Sequence, residues 1–98
     1  MAGYLIANYT ITNPEAYQAY LAAVGPTIFA HGGEILVAGE GSEIVEGEAG
    51  TITVVLKFPS KDVLRTWYDS PEYREIVHFR TDNTDGNVVF ADEFVMPG

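Results

Sequence analysis

Strand-like and helix-like segments alternate along this sequence in an order that few folds satisfy. The stretch from Gly3 to Ile11 is rich in β-branched and aromatic residues, as strands are. Asn13-Pro14-Glu15 follows, and it supplies an N-cap, a proline at the first helical position and an acid in the first turn. A helix is therefore predicted from Pro14 to about His31, with apolar residues spaced three and four apart.

Two glycine-containing pairs are expected to shape this helix. Gly25-Pro26 should kink or interrupt it, because proline has no N–H and its ring clashes with the preceding turn. Gly32-Gly33 should end it, because glycine readily adopts the left-handed conformation found after a helix C-cap.

The second half of the chain repeats the pattern of the first. Ser60 and Ser70 each precede a helical segment as an N-cap, and Pro71 stands at the first helical position of the latter. The remaining predicted elements are a strand at 34–38 that continues at 42–46 after a bulge, a strand at 51–58, a helix from 61 to about 69, a helical segment at 71–80, a polar turn at 81–87 and a strand at 88–95.

The resulting order, β-α-β-β-α-β, predicts an α+β, ferredoxin-like fold. Right-handed crossovers place both helical segments on one face of a four-stranded antiparallel sheet. The 98 residues are expected to form a single domain, 1–98. Since the strands carry apolar residues on both faces, the second sheet face needs a cover, and we expect a homodimer that stacks two sheets face to face.

Composition excludes several classes of function. Fourteen acidic residues face five basic ones, and the formal net charge of −9 disfavours nucleic acid and anionic membranes as partners. The absence of cysteine excludes disulfides and thiolate chemistry. We see no membrane span and no secretory signal, so a cytoplasmic location is expected.

Several motifs are similar to a known family. They are Gly32-Gly33-Glu34, Glu46-Gly47, and the run from Phe58 to Arg80 that contains Trp67-Tyr68-Asp69-Ser70-Pro71-Glu72-Tyr73. The chain resembles the family named domain of unknown function 1330, within the dimeric α+β-barrel group. This resemblance implies a ferredoxin-like protomer and a dimer formed by the sheets. The wider group includes cofactor-independent monooxygenases, lactone isomerases, haem-binding enzymes and stress-response domains, but the family itself has no settled activity.

Aromatic residues and one arginine form the candidate ligand site. A pocket between the sheet and the helices that is lined by aromatic rings and a few hydroxyls suits a flat organic ligand. The alternative is that these rings simply fill a small core, above all at position 67. The candidate ligand-binding residues are Tyr17, Tyr20, Trp67, Tyr73 and Arg80.

Arg80, His31 and Glu46 are the catalytic candidates. Arg80 could anchor a carboxylate or an enolate through its guanidinium fork, or pair structurally with Glu46 or Asp82. His31 could act as a general base, or interact with the dipole of a helix C-terminus, and Glu46 could be a base or a turn acceptor. His78 could likewise act as a base, or it could simply face the solvent. The spacing of the two histidines argues against a metal site, and we expect no cofactor.

Two functional hypotheses follow from these candidates. The first is a homodimeric protein whose pocket binds a small molecule, in a binding or stress-associated role. The alternative is a cofactor-independent monooxygenase- or isomerase-like enzyme that acts on a small aromatic or enolic substrate. The enzyme hypothesis requires that a histidine or Glu46 converge with Arg80 on one cavity.

Overall fold

The chain forms a four-stranded antiparallel sheet covered on one face by helices. In the computed structural model, which describes residues 1–98, the strands follow the spatial order β2-β3-β1-β4. This order is the predicted ferredoxin-like arrangement. The elements are β1 (Gly3–Ile11), α1 (Pro14–Ala30), β2 (Glu34–Gly39), β3 (Ile52–Phe58), α2 (Lys61–Tyr68), α3 (Pro71–Arg74), α4 (Val77–Thr81) and β4 (Thr84–Asp92). No helix combines the length and the apolar character needed to cross a membrane.

The predicted signals at both ends of α1 are confirmed. The Asn13 side chain accepts a hydrogen bond from the backbone N–H of Ala16, at 3.3 Å. At the other end, Gly32 has a φ of +76°, and the N–H of Gly33 donates to the carbonyl of Ile28 at 3.0 Å. This is a Schellman ending, which satisfies carbonyls that the last helical turn leaves free.

The predicted break at Gly25-Pro26 is wrong, because α1 continues through both residues to Ala30, and the alternative, a kink within the helix, stays a prediction. Proline removes one helical hydrogen bond, that to the carbonyl of Ala22. Pro26 and Ala22 both lie on the exposed side of the helix. Water can therefore satisfy the freed carbonyl, and the helix is retained.

The second half of the predicted β2 strand is also wrong. Residues 42–46 lie in a loop, and the bulge falls between Ile35 and Val37. The pairing of β2 with β3 ends at Gly39 opposite Thr53, and β3 itself begins at Ile52. Residues 42–46 therefore have no partner strand to pair with.

The helical segment predicted at 71–80 divides into α3 and α4, and β4 begins earlier than expected. The predicted turn at 81–87 is confirmed only at Asp82 and Asn83, because Thr81 ends α4 and Thr84–Asn87 pair with the end of β1. Gly86 lies opposite Tyr9, where an added Cβ would overlap the Tyr9 backbone. Gly86 has the residue type of a turn, but it is required by the close contact between β4 and β1. The strand ends at Asp92, rather than at Val95 as predicted.

The two sheet faces differ in what covers them. Leu5, Ala7 and Tyr9 of β1 are buried beneath the helices, whereas Ile6 points to the other face and is 41% exposed. Val55 and Val89 lie opposite Ile6 on the neighbouring strands, and Val37 lies opposite Val55. We call these four residues, Val37, Val55, Ile6 and Val89, the open-face row. The row crosses the whole sheet and is apolar throughout.

Replacement of Gly50 by alanine is expected to destabilise the fold by about 1–3 kcal/mol, the usual cost of overpacking. Gly50 is buried, and an added Cβ would overlap the backbone of Tyr9 and Thr10. Asn8 holds this loop in place, since its side chain accepts from the Gly50 N–H at 2.7 Å. Gly41→Ala is the control, because that Cβ would meet no atom within 4 Å. Urea denaturation of both variants measures the difference, and equal midpoints would contradict the close contact.

Candidate ligand-binding pocket

A cavity of about 550 Å³ lies between α1 and the sheet. The cavity arises because α1 and α2 contact the sheet to different extents. The shorter helix, α2, packs directly on β1 and β3, whereas α1 packs mainly against α3 and α4. The space between α1 and the β2–β3 half of the sheet is therefore not filled by side chains. Its volume falls within the range of small-molecule pockets, about 300–1,000 Å³.

The walls of this cavity are mostly apolar, since 17 of its 24 lining residues are hydrophobic. Leu21 of α1 and Ile35 of β2 both line it, and they are 53% and 41% exposed. Val24, Val54 and Leu56 complete much of the apolar surface. The cavity therefore offers an apolar ligand a surface that the protein's own core does not cover.

Four tyrosines form two hydroxyl pairs along the cavity. The hydroxyls of Tyr9 and Tyr17 lie 2.5 Å apart, and those of Tyr20 and Tyr73 lie 2.8 Å apart. Burial raises the pKa of Tyr9, Tyr17 and Tyr20 above the ordinary phenol value. These phenols are therefore neutral at physiological pH, and they can donate or accept hydrogen bonds but not serve as phenolate bases.

Arg80 brings a buried positive charge to the same cavity. It belongs to α4, is 8% exposed, and has its Cζ 6.0 Å from the centre of the Tyr20 ring. Burial opposes its charge, but the nearby phenol oxygens of Tyr73 and Tyr20 outweigh that effect and raise the pKa of Arg80. None of the ion pairs in the structure includes it. The predicted pairing with Glu46 or Asp82 is therefore wrong.

Trp67 is the largest buried side chain among the residues that line the cavity. Its side chain is fully buried, and its ring centre lies 4.1 Å from that of Tyr73 and 5.3 Å from that of Phe58. The indole N–H donates to the hydroxyl of Thr27 on α1, at 3.0 Å. Trp67 is thus a core residue that also lines the cavity.

The structure brings some of the sequence candidates together and separates others. The residues Tyr17, Tyr20, Trp67, Tyr73 and Arg80 all line the cavity. His31 does not line it; its Nδ1 donates to the carbonyl of Thr27 at 3.0 Å, and its Nε2 lies 3.5 Å from Glu72. Glu46 lies in the exposed loop after β2, and His78 is exposed beside Phe79. Neither histidine nor Glu46 converges with Arg80.

Sequence reasoning missed the contribution of β2 and the residue after it. Ile35, Ala38 and Gly39 line the cavity, and so does Glu40, the residue that follows β2. Gln18 of α1 is a further polar lining residue. The local sequence carries no signal for this placement, because it depends on how far α1 stands from the sheet. No group of three or more acidic or histidine side chains is placed to hold a metal ion.

A smaller, more polar cavity of about 170 Å³ adjoins the first at Arg80. The two cavities share Tyr9, Arg80 and Val88 as lining residues. The other walls of the smaller cavity come from the end of α4 and the start of β4, namely Thr81, Thr84, Asp85, Gly86 and Asn87. Arg80 therefore stands between an apolar compartment and a polar one.

Known structures share this fold at low sequence identity. A protein of unknown function from Rhodopseudomonas palustris matches with a TM-score of 0.79 and 18% identity, over 97% of this chain and 84% of that one. A dimeric ferredoxin-like protein of unknown function from Thermobifida fusca matches with a TM-score of 0.63 and 17% identity, over 93% and 90%. SnoaB, a cofactor-independent oxygenase from Streptomyces nogalater, matches with a TM-score of 0.61 and 11% identity, over 97% and 95%.

Comparison of the sequence with curated proteins finds no match. The family described as Domain of unknown function (DUF1330) matches residues 2–94, which is nearly the whole chain. That range contains every strand and helix, and every residue that lines the two cavities. The chain therefore belongs to the Domain of unknown function (DUF1330) family.

Proposed function

We propose that this chain is one subunit of a homodimer in which each protomer binds a small, mostly apolar organic molecule between α1 and the sheet. One observation carries the proposal: the cavity of about 550 Å³ whose walls expose Leu21 and Ile35. Protein interiors are normally packed as densely as organic crystals, with few voids larger than a water molecule. A cavity this large is thus better explained as a binding site than as an imperfection of the core.

The homodimer rests on the uncovered face of the sheet. Ile6, Val37 and Val89 of the open-face row are 41%, 48% and 52% exposed, although they form one continuous apolar band. A band of this kind usually marks an interface. The similar protein from Thermobifida fusca is described as dimeric, which supports the same arrangement here.

Filling the cavity is expected to abolish ligand binding. Leu21→Trp would place an indole inside the cavity, whereas Phe29→Trp, on the same helix, adds one at a 61% exposed position that does not line it. Native mass spectrometry of the purified protein would first reveal any retained ligand and the oligomeric state. Binding of a panel of small apolar compounds, followed by calorimetry, should then fall at least tenfold in Leu21→Trp and stay unchanged in Phe29→Trp. Equal binding by both variants would refute the proposed site.

A second candidate function is catalysis without a cofactor. The specific observation in its favour is the shared fold with a cofactor-independent oxygenase. Against it, burial raises the pKa of Tyr9, Tyr17 and Tyr20, and His31 and Glu46 do not line the cavity. Glu40 is the one carboxylate among the lining residues, and it could act as a base. Uptake of dioxygen with an enolisable aromatic compound, lost in Glu40→Gln, would favour this second function over simple binding.

A further inference from the structure

We infer that the ligand of this pocket is an organic anion, a carboxylate or an enolate on an otherwise apolar body, whose charged oxygens bind the guanidinium of Arg80. This inference rests on the proposed function, since it names the chemical class that the same cavity accepts.

The guanidinium of Arg80 is buried without a carboxylate partner. A guanidinium remains charged at every physiological pH, and burying a charge is costly unless a partner compensates it. The chain has fourteen acidic residues, yet none of them forms an ion pair with this 8% exposed arginine. Tyr20 and Tyr73 beside it supply hydroxyl groups, which hydrogen bond to each other, and no carboxylate. An anionic ligand group would supply the compensation that the protein itself does not.

Arg80 lies where two cavities of different polarity meet. The larger cavity is apolar, and the smaller one is walled by hydroxyl and amide side chains from Thr81, Thr84 and Asn87. Asp85 also lines the smaller cavity but forms no ion pair with Arg80. A molecule with an apolar body and one polar end matches this division, with its body against α1 and its anionic group at Arg80.

The charges of Glu40 and Arg80 bear on how a bound anion is oriented in the larger cavity. Glu40 lines the larger cavity just beyond β2, whereas Arg80 lines it beside β1 and β4. Since β3 separates β1 from β2, two strand spacings of about 4.8 Å place these strands about 10 Å apart. The Glu40 carboxylate would repel an anion on its own side of the cavity. The two charges therefore favour one orientation, in which the anionic end of the ligand points away from β2.

A matched pair of probes tests this inference. 2-Naphthoate and 2-naphthamide have the same aromatic body, but only the first is an anion at neutral pH. We expect the protein to bind the acid at least about tenfold more tightly, because a charge-assisted, bidentate contact is stronger than a neutral one. Arg80→Met should remove that preference while retaining the affinity for the amide, and Arg80→Lys should keep part of it.

The control is Arg74→Met, which removes an exposed arginine that stacks on Tyr68 and does not line the cavity. Circular dichroism of each variant establishes that it is folded before binding is measured. If the wild-type protein binds acid and amide equally, or if Arg80→Met keeps the preference, the inference is overturned while the pocket remains. If neither probe nor any compound of the apolar panel binds, the proposed function fails, and the inference fails with it.

Discussion

Replacement of Trp67 by alanine should lower the free energy of unfolding by about 3–5 kcal/mol, the usual cost of removing a large buried aromatic side chain. Trp67 is fully buried and packs against Tyr73, Phe58 and Tyr68. Its indole N–H also ties α2 to α1 through Thr27. This loss is large because domains of this size are marginally stable, with about 5–15 kcal/mol in total.

Thermal unfolding at a fixed protomer concentration measures the effect. In a domain of this length, 1 kcal/mol corresponds to about 4–8 °C, so the Tm should fall by at least about 12 °C. Thr27→Val removes the hydroxyl that accepts from the indole N–H and donates to the carbonyl of Val24, and it should cost about 1–3 kcal/mol because the buried indole N–H loses its acceptor. Phe29→Ala, at an exposed position of the same helix, should change the Tm little. A Trp67→Ala variant as stable as Phe29→Ala would mean that this ring is not the centre of the core.

The sequence predicted those parts of the fold that depend on local chemistry. Asn13, Ser60 and Ser70 each cap a helix with their side chains, and Gly32 ends α1 in the left-handed region. Such signals act within a few residues of the chain, and the local sequence therefore reveals them. The ferredoxin-like layout followed from the order of these elements, and the handedness of crossovers placed both helical segments on one face of the sheet.

The errors fell where pairing partners, rather than local preference, determine the structure. Residues 84–87 look like a turn but pair with β1, whereas residues 42–46 look like a strand but have no strand to pair with. The candidate site shows the same division. Its aromatic rings and Arg80 were identifiable by residue type, but Ile35, Ala38 and Glu40 reach the cavity only through the spacing of α1 from the sheet.

The same contrast between local and tertiary information applies to the charges. Arg80 could be recognised as the unusual charge at the end of an apolar helical stripe, but its lack of a carboxylate partner could not. Two carboxylates near it in sequence or in space, Asp82 and Asp85, both stay exposed and form no ion pair with it. A buried cation without an internal partner is a property of the folded arrangement, and it is the property that points to an anionic ligand.

Substitution of Ile6 by lysine should convert the proposed homodimer to monomers. Ile6 lies on the central strand β1, in the middle of the open-face row, between Val55 and Val89. In two stacked sheets related by a two-fold axis, the substitution introduces a charge into the apolar centre of the interface from both subunits. Lys57 lies on the same face, two residues along β3 from Val55, so each new ammonium also has a like-charged residue nearby. Like charges brought together across an interface cost several kcal/mol.

Sedimentation equilibrium at micromolar concentration distinguishes the outcomes, because the wild-type protein should sediment at twice the protomer mass of 10.7 kDa and Ile6→Lys at the protomer mass. Phe29→Lys places the same charge on the helical side of the protein, at a position that is 61% exposed, and it should remain dimeric. The ligand cavity lies on the opposite face of the sheet from Ile6, so a folded Ile6→Lys monomer should still bind the naphthoate probe. A dimeric Ile6→Lys protein would place the interface elsewhere than on the sheet, and a monomeric wild-type protein would mean that the apolar row serves another purpose.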